Sequence, residues 1–241
     1  MATFVVTAPP SPPRPGLVAP LWHTALLVVF MLAMAAAGAA FQQNAQAHPA
    51  AAVAHRDISR LYFSLLLGEW GLVYYVWKGG LRRTGTTLGE LIGGRWARAR
   101  DVFTDLALGL GLWGTWLIVQ PLLERMLAPG HAASIDSMLP TSPFEIVLWI
   151  ALSLSAGFCE EVVFRGYMQR QFAALTGNRW PAWLLVAVLF GISHGYQGVQ
   201  PCVRITIFAA LFGLLALWRK SPRPGILAHA WTDIAAGLIR I

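Results

Sequence analysis

The sequence predicts an all-α fold, a polytopic transmembrane helical bundle. Of the 241 residues, 56% are hydrophobic and only 12% are charged, which is about half the charged share of an ordinary soluble domain. The mean hydropathy is +0.57, and several uncharged runs are long enough to cross a bilayer as helices. No segment alternates between polar and apolar residues over a strand's length, and two cysteines are too few for a disulfide scaffold.

Seven apolar runs predict seven membrane helices, or eight if a long loop contains a re-entrant piece. Residues 1–20 are rich in proline and predict a flexible tail, so residues 21–241 are expected to form a single membrane domain. Residues 79–100 predict a short amphipathic segment on the inner surface. The predicted membrane helices cover residues 21–41, 61–77, 102–123, 143–167, 180–194, 203–218 and 224–239.

The basic residues segregate to one side of this predicted bundle. If the N-terminus lies inside, 13 of the 18 Lys and Arg residues fall on the inner side and 5 on the outer side. Cytoplasmic loops of membrane proteins collect basic residues, so this pattern predicts a cytoplasmic N-terminus and an external C-terminus in the cell (inner) membrane. The basic residues that fix the orientation in the lipid bilayer also account for the net charge of +7. No nucleic-acid partner is therefore predicted.

Ionisable residues interrupt three of the last four apolar runs. A charge at mid-depth costs about 2.5–3.5 kcal/mol on insertion scales, so intramembrane charges indicate function. Adjacent carboxylates ionise fully only beside cations, a metal ion or hydrogen-bond donors. The interrupting residues are Glu160, Glu161 and Arg165 in the first of these runs, His194 in the next, and His229 and Asp233 in the last.

Spacing predicts that several of these side chains meet. Thr176-Gly177-Asn178 predicts the turn between the fourth and fifth helices, and Glu160 lies 17 residues before Gly177 while His194 lies 17 residues after it. In an antiparallel helix pair, equal offsets from the turn mean equal depth, here about 25 Å from the turn. Arg165 is one helical turn beyond Glu161 and is expected on the same face, where it can neutralise the carboxylate.

His229 is harder to place at that depth. It lies about seven residues, near 10 Å, beyond the turn at Ser221-Pro222. It can meet the other groups if the last helix tilts, or if the fourth helix extends well beyond the membrane. In the N-terminal half, Glu69 and Asp105 are interpreted as polar contacts between helices.

Three motifs stand in order on the fourth, fifth and seventh predicted helices. Glu160-Glu161-Val162-Val163-Phe164-Arg165 matches Glu-Glu-x-x-x-Arg, Phe190-Gly191-Ile192-Ser193-His194 matches Phe-x-x-x-His, and His229-Ala230-Trp231-Thr232-Asp233 matches His-x-x-x-Asp/Asn. Together they resemble the CAAX-protease and bacteriocin-processing family of intramembrane proteases, which includes the Abi proteins and the prenyl-protein endopeptidases. The resemblance covers about residues 143–239, the expected catalytic half of the chain.

The resemblance implies an intramembrane endopeptidase in which a water molecule, held in a polar cavity, attacks a peptide bond. Glu160 would be the general base that activates this water, and His194 would hold it. Glu161 and Arg165 would complete and orient the cluster.

The resemblance further implies that His229 and residue 233 stabilise the oxyanion. This chain has Asp233 where several family members have Asn. An ionised Asp cannot donate a hydrogen bond, so orienting His229 or carrying a proton are alternative roles for it.

The residue types are consistent with hydrolysis, and they do not decide whether the reaction needs a metal ion. A buried carboxylate beside a histidine suits general-base catalysis, whereas Glu160, His194 and His229 could also hold a catalytic zinc ion with an open position. We expect no required cofactor, with Zn²⁺ as the alternative.

The expected partner is a membrane-associated protein or peptide. Prenylated C-terminal peptides, bacteriocin leaders and membrane-anchored proteins all fit, and a bacterial substrate is favoured; the sequence predicts no oligomeric state.

Two other functional classes use similar residues. A proton-coupled membrane transporter could relay protons through the same carboxylates and histidines, and a non-catalytic immunity or scaffold member of the family could retain them. Transporters usually show paired repeats with broken helices in both halves. Here the ionisable groups crowd into one half, which favours the enzyme.

Overall fold

The computed structural model describes residues 16–47, 58–127 and 138–239, and all regular secondary structure in these ranges is helical. The all-α prediction is therefore confirmed for the described part of the chain. Residues 1–15, most of the predicted flexible tail, lie outside the described residues.

The α-helices of the described ranges are separated by short turns and by two stretches of wider π-helix. The π-helical stretches are Val76–Leu81 and Val162–Met168, and a 3₁₀ turn covers Gly195–Gln197. The α-helices are α1 (Leu21–Ala47), α2 (Ile58–Tyr75), α3 (Arg82–Thr84), α4 (Leu88–Leu91), α5 (Ala99–Met126), α6 (Pro143–Glu161), α7 (Gln169–Thr176), α8 (Arg179–Ser193), α9 (Val199–Arg219) and α10 (Arg223–Leu238).

A helix covers each of the seven predicted apolar runs. Among the described residues, four helical segments are long and apolar enough to cross a membrane, and α8 is apolar but shorter. These lengths and compositions support an integral membrane protein, while the number of seven or eight membrane helices stays a prediction. The four segments are Leu21–Asn44, Ala99–Met126, Pro143–Thr176 and Val199–Arg219.

The longest helix runs without a break through α6, the second π-helical stretch and α7. Its 34 residues correspond to about 51 Å at the rise of an α-helix, well beyond the roughly 30 Å of a bilayer core. Ser142 and Glu145 form a capping box at its start, and Gly177 ends it in the left-handed conformation with φ 66°. This length agrees with the second alternative for His229, a fourth helix that extends beyond the membrane.

Close packing of α10 against α6 fixes the relative position of their polar side chains. Gly157 of α6 lies so near α10 that a methyl group in its place would come within 2.8 Å of the Ala230 nitrogen and 3.0 Å of the Ile226 carbonyl oxygen. In the N-terminal half of α6, about two turns before Gly157, the Trp149 indole donates a hydrogen bond of 2.9 Å to the Asp233 carbonyl oxygen. The backbone of α10 is thereby held against the helix that carries the two glutamates.

The N-terminal helix is tied to the same long helix by a buried polar cluster. His23 is fully buried; its Nε2 donates to the Tyr75 carbonyl oxygen (3.1 Å), and its Nδ1 lies 2.9 Å from the Tyr167 hydroxyl. The Thr24 hydroxyl lies 2.7 Å from the same Tyr167 oxygen. Because Tyr167 belongs to the second π-helical stretch, these bonds join α1 to the segment that carries Arg165.

Polar contacts also connect the helix ends on the side rich in basic residues. Asp105 accepts hydrogen bonds of 2.7 Å from both the Trp96 indole and the Arg219 guanidinium, which confirms its interpretation as a contact between helices. The segment predicted over residues 79–100 forms α3 and α4 with intervening turns. The Ser221 hydroxyl donates to the Ile92 carbonyl oxygen, so this segment packs against the start of α10.

Candidate active site

A buried trio of charged and ionisable side chains joins α6, the second π-helical stretch and α10. The Arg165 guanidinium lies 2.9 Å from Glu161 Oε1, and His229 Nδ1 lies 3.1 Å from the same oxygen. The side chains of Glu161 and Arg165 are 0% and 1% exposed. Since a buried charge needs a partner, Glu161 is held as a carboxylate acceptor between two donors. The predicted pairing of Glu161 with Arg165 on one helix face is confirmed.

His229 also faces two less buried carboxylates with its other nitrogen. Its Nε2 lies 3.8 Å from Glu160 Oε2 and 3.6 Å from Asp233 Oδ2. The side chain of Glu160 is 16% exposed and that of Asp233 is 32% exposed. The two adjacent glutamates therefore have different surroundings: Glu161 is locked by a cation, whereas Glu160 lies at the accessible edge of the cluster.

Three buried phenylalanines surround the imidazole of His229. The ring centres of Phe208, Phe212 and Phe190 lie 5.2, 6.0 and 6.1 Å from it. The Arg165 guanidinium carbon lies 4.4 Å from the Phe190 ring centre, within the range of a cation–π contact. Such apolar walls keep bulk water away and strengthen the electrostatic interactions inside the cluster.

His194 reaches the same region from the end of α8. Its Nδ1 lies 2.9 Å from the Phe190 carbonyl oxygen, and because a carbonyl only accepts, Nδ1 must carry the proton. Nε2 then has a free lone pair in the neutral imidazole. The Phe190 ring centre is 4.9 Å from that of His194 and 6.1 Å from that of His229. One aromatic side chain therefore contacts both imidazoles.

The structure thus brings five of the predicted site residues into one contact network, and places the sixth, His194, beside it across an aromatic ring. A π-helical stretch begins directly after Glu161, and all of its residues, Val162–Met168, are buried. Single π-helical turns are frequent at functional sites, where the extra residue rotates the side chains that follow it. Here the stretch carries Arg165.

Sequence reasoning missed two further polar groups at the site. Glu69 of α2, interpreted above as a helix-packing residue, lies close enough to interact electrostatically with Glu160 and Asp233. Tyr196, in the 3₁₀ turn after His194, has its ring centre 6.2 Å from that of His194. One feature of the sequence could have identified Glu69: it is a single acidic residue inside an apolar run. An ionisable residue within a membrane helix generally indicates a functional site.

The histidines and carboxylates of the site carry donor atoms of the kind that metal ions bind. Among the residues that the structure describes, no group of three His, Cys, Asp or Glu side chains is arranged to hold a metal ion. Both nitrogens of His229 face carboxylates of the cluster. The predicted zinc ligands Glu160, His194 and His229 do not form a ligand set in this arrangement, and the metal requirement of the reaction stays a prediction.

The comparison with known proteins agrees with the motifs. Residues 142–235 match a family model described as type II CAAX prenyl endopeptidase Rce1-like. The matched range includes all six predicted site residues, and the match confirms the family resemblance. The family is one of proteases, which supports a peptidase, that is, a hydrolase. No curated protein and no solved structure matches the chain.

Proposed function

We propose, from the match of residues 142–235 to the type II CAAX prenyl endopeptidase family, that this chain is an intramembrane endopeptidase of the CAAX-protease and bacteriocin-processing type. It hydrolyses a peptide bond of a membrane-associated protein or peptide. The observation that carries the proposal is the meeting of His229 with both motif glutamates, at 3.1 Å from Glu161 and 3.8 Å from Glu160. Polar groups from separate helices converge there inside an apolar bundle.

Glu160 is the general base in this mechanism. A base must be free to take a proton, and Glu161 is already bound by Arg165 and His229. Glu160 lies at the edge of the cluster, where a substrate and a water molecule can reach it. It takes one proton from the attacking water and returns it to the leaving amine nitrogen, so the proton count balances when the peptide bond breaks.

His194 holds the water in position. Its Nδ1 proton is committed to the Phe190 carbonyl oxygen, so the Nε2 lone pair can accept a hydrogen bond from the water. This leaves an oxygen lone pair of the water free to attack the substrate carbonyl carbon. The carbonyl-bound Nδ1 also fixes the ring orientation, as second hydrogen bonds of catalytic histidines generally do.

His229 stabilises the oxyanion that forms on the substrate. With Nδ1 donating to Glu161, a proton on Nε2 can be donated to the developing negative charge. Asp233, at 3.6 Å from Nε2, orients the imidazole. Between turnovers its carboxylate is the acceptor that faces the Nε2 proton. This is the role we assign to Asp233, because its carboxylate cannot itself donate to an oxyanion.

The chain works in this proposal as a single membrane domain of seven helices in the inner cell membrane of a bacterium. The N-terminus is cytoplasmic and the C-terminus external, as the distribution of basic residues predicts. The substrate is a bacterial membrane protein or peptide, and no nucleic acid takes part.

Digestion of a peptide library by the purified protein in detergent tests this function. We expect internal cleavage products, identified by mass spectrometry, and no stepwise shortening from either end. Because water is activated by Glu160 in this mechanism, we expect cleavage to continue after treatment with a strong zinc chelator. Loss of cleavage with the chelator and its return with added Zn²⁺ would contradict the metal-free mechanism, and no internal cleavage under any condition would contradict the endopeptidase.

A further inference from the structure

A cavity lined in part by Arg165 lies at the basic ends of the helices. It has a volume of about 230 Å³ and lies between α7 and the turn from α9 to α10. Three of its lining side chains are cationic, Arg165, Arg170 and Lys220, and none of the lining residues that the structure describes is acidic. The other lining residues are Gln169, Ala173, Ala216, Leu217, Ser221 and Pro222.

The nearest carboxylates do not neutralise this cavity from within. Glu161 pairs with Arg165 and His229 in the candidate active site. Glu90 does not line the cavity, and its electrostatic interaction with Arg170 offsets part of the charge of that residue. The lining itself carries three cations and, among the described residues, no acid, so this concave surface keeps a net positive charge. Such a surface concentrates the electric field and attracts anions.

We propose that this cavity binds the phosphate group of an anionic phospholipid. The cavity lies at the end of the candidate membrane-spanning segment Val199–Arg219, whose 21 residues match the bilayer core, so this end lies near the depth of lipid headgroups. Leu217 lines the cavity, and Leu214, one turn deeper on the same face of α9, is 37% exposed. An acyl chain can lie along this stripe while its phosphate sits between the cations.

An exposed tryptophan marks the same depth. Trp218, adjacent to the cavity on α9, is 72% exposed, and tryptophan at the end of a membrane helix is typical of the interface between headgroups and acyl chains. A free phosphate ion would use the same cations but would gain nothing from Leu214 and Leu217. The apolar stripe therefore favours a lipid over the free ion.

The test measures lipid retention by the purified full-length protein with native mass spectrometry, after addition of phosphatidylglycerol or phosphatidylcholine. We expect one tightly retained phosphatidylglycerol and no comparable retention of phosphatidylcholine. Each cation near an anionic headgroup is worth about fivefold in affinity, so the double variant Arg170→Gln/Lys220→Gln should lose about 25-fold. Arg170 also donates to the Leu91 carbonyl oxygen. Lys220→Gln alone, at an exposed position, therefore serves as the milder variant, with an expected loss of about fivefold.

The matched control is Arg82→Gln/Arg83→Gln, which removes two exposed cations outside the cavity and should leave retention unchanged. Equal loss in this control, or equal retention of phosphatidylcholine, would overturn the site in favour of general surface attraction. Thermal stabilisation by inorganic phosphate alone to the extent given by phosphatidylglycerol would overturn the lipid assignment. Retention is measured without any substrate, so its failure is distinguishable from failure of the proposed peptidase.

Discussion

Glu160→Gln is expected to lower the rate of peptide cleavage by at least a hundredfold, and by up to about ten-thousandfold. The amide has nearly the same shape as the carboxylate but cannot take the proton of the attacking water. The protein should still fold, since Glu161 holds the bonds to Arg165 and His229. Initial rates on one identified peptide, measured by mass spectrometry at equal amounts of folded protein, give the comparison.

A matched variant separates loss of this base from loss of any carboxylate. Glu124→Gln changes the same chemical group at an exposed position, where Glu124 pairs with Arg204, and exposed ion pairs contribute little to stability. Its cleavage rate should stay within about twofold of wild type, because exposed pairs of this kind are worth only about 0–1 kcal/mol. Wild-type cleavage by Glu160→Gln would remove Glu160 from the mechanism.

Arg165→Leu is expected to destabilise the fold by about 3–5 kcal/mol, because it leaves the fully buried Glu161 carboxylate without its cation. It should also abolish cleavage, since Glu161 would then compete for the proton of His229. The unfolding temperature in detergent, followed by tryptophan fluorescence, measures the effect. The large loss comes from the stranded charge and not from the missing side-chain volume.

A second substitution checks that reason. In Arg165→Leu/Glu161→Gln the stranded charge is gone, and replacing a whole buried ion pair is often nearly neutral for stability. We expect the double variant to recover most of the lost unfolding temperature while remaining inactive. Equal destabilisation in the single and double variants would mean that packing, and not charge pairing, explains the role of Arg165.

The parts of the site that depend on local spacing could be predicted from the sequence. Glu161 and Arg165 are one helical turn apart, and their pairing follows from helix geometry alone. The turn at Gly177 was equally readable, because a left-handed residue at the end of a helix favours glycine. Convergence of the three motifs followed from their placement in the apolar runs of the C-terminal half and from the family resemblance.

The rotation of each helix about its axis could not be predicted in the same way. In a soluble protein the polar face of a helix shows which side is buried, whereas lipid-facing and buried faces are equally apolar in a membrane bundle. This explains why Glu69 was interpreted as a packing residue although it approaches Glu160. It also explains why the enclosure of His229 by Phe208 and Phe212 was not anticipated.

Two further features depend on contacts between residues far apart in the sequence: the buried cluster around His23 and the second π-helical stretch. The sequence does not indicate the partners of His23, because a lone histidine near the start of an apolar run belongs to no pattern. Its bonds to Tyr75 and Tyr167 join residues 52 and 144 positions apart. The π-helical stretch Val162–Met168 likewise has no motif of its own in the sequence, and all of its residues are buried.

In the proposed mechanism Glu160 and His194, from separate helices, act on the same water molecule. Single-turnover cleavage of one peptide by Glu160→Gln, His194→Gln and the double variant measures whether the two side chains act together. Residues that act as a unit show strongly non-additive losses, so the double variant should be no slower than the slower single variant. Losses that multiply in the double variant would show that the two side chains act independently, and would contradict the mechanism.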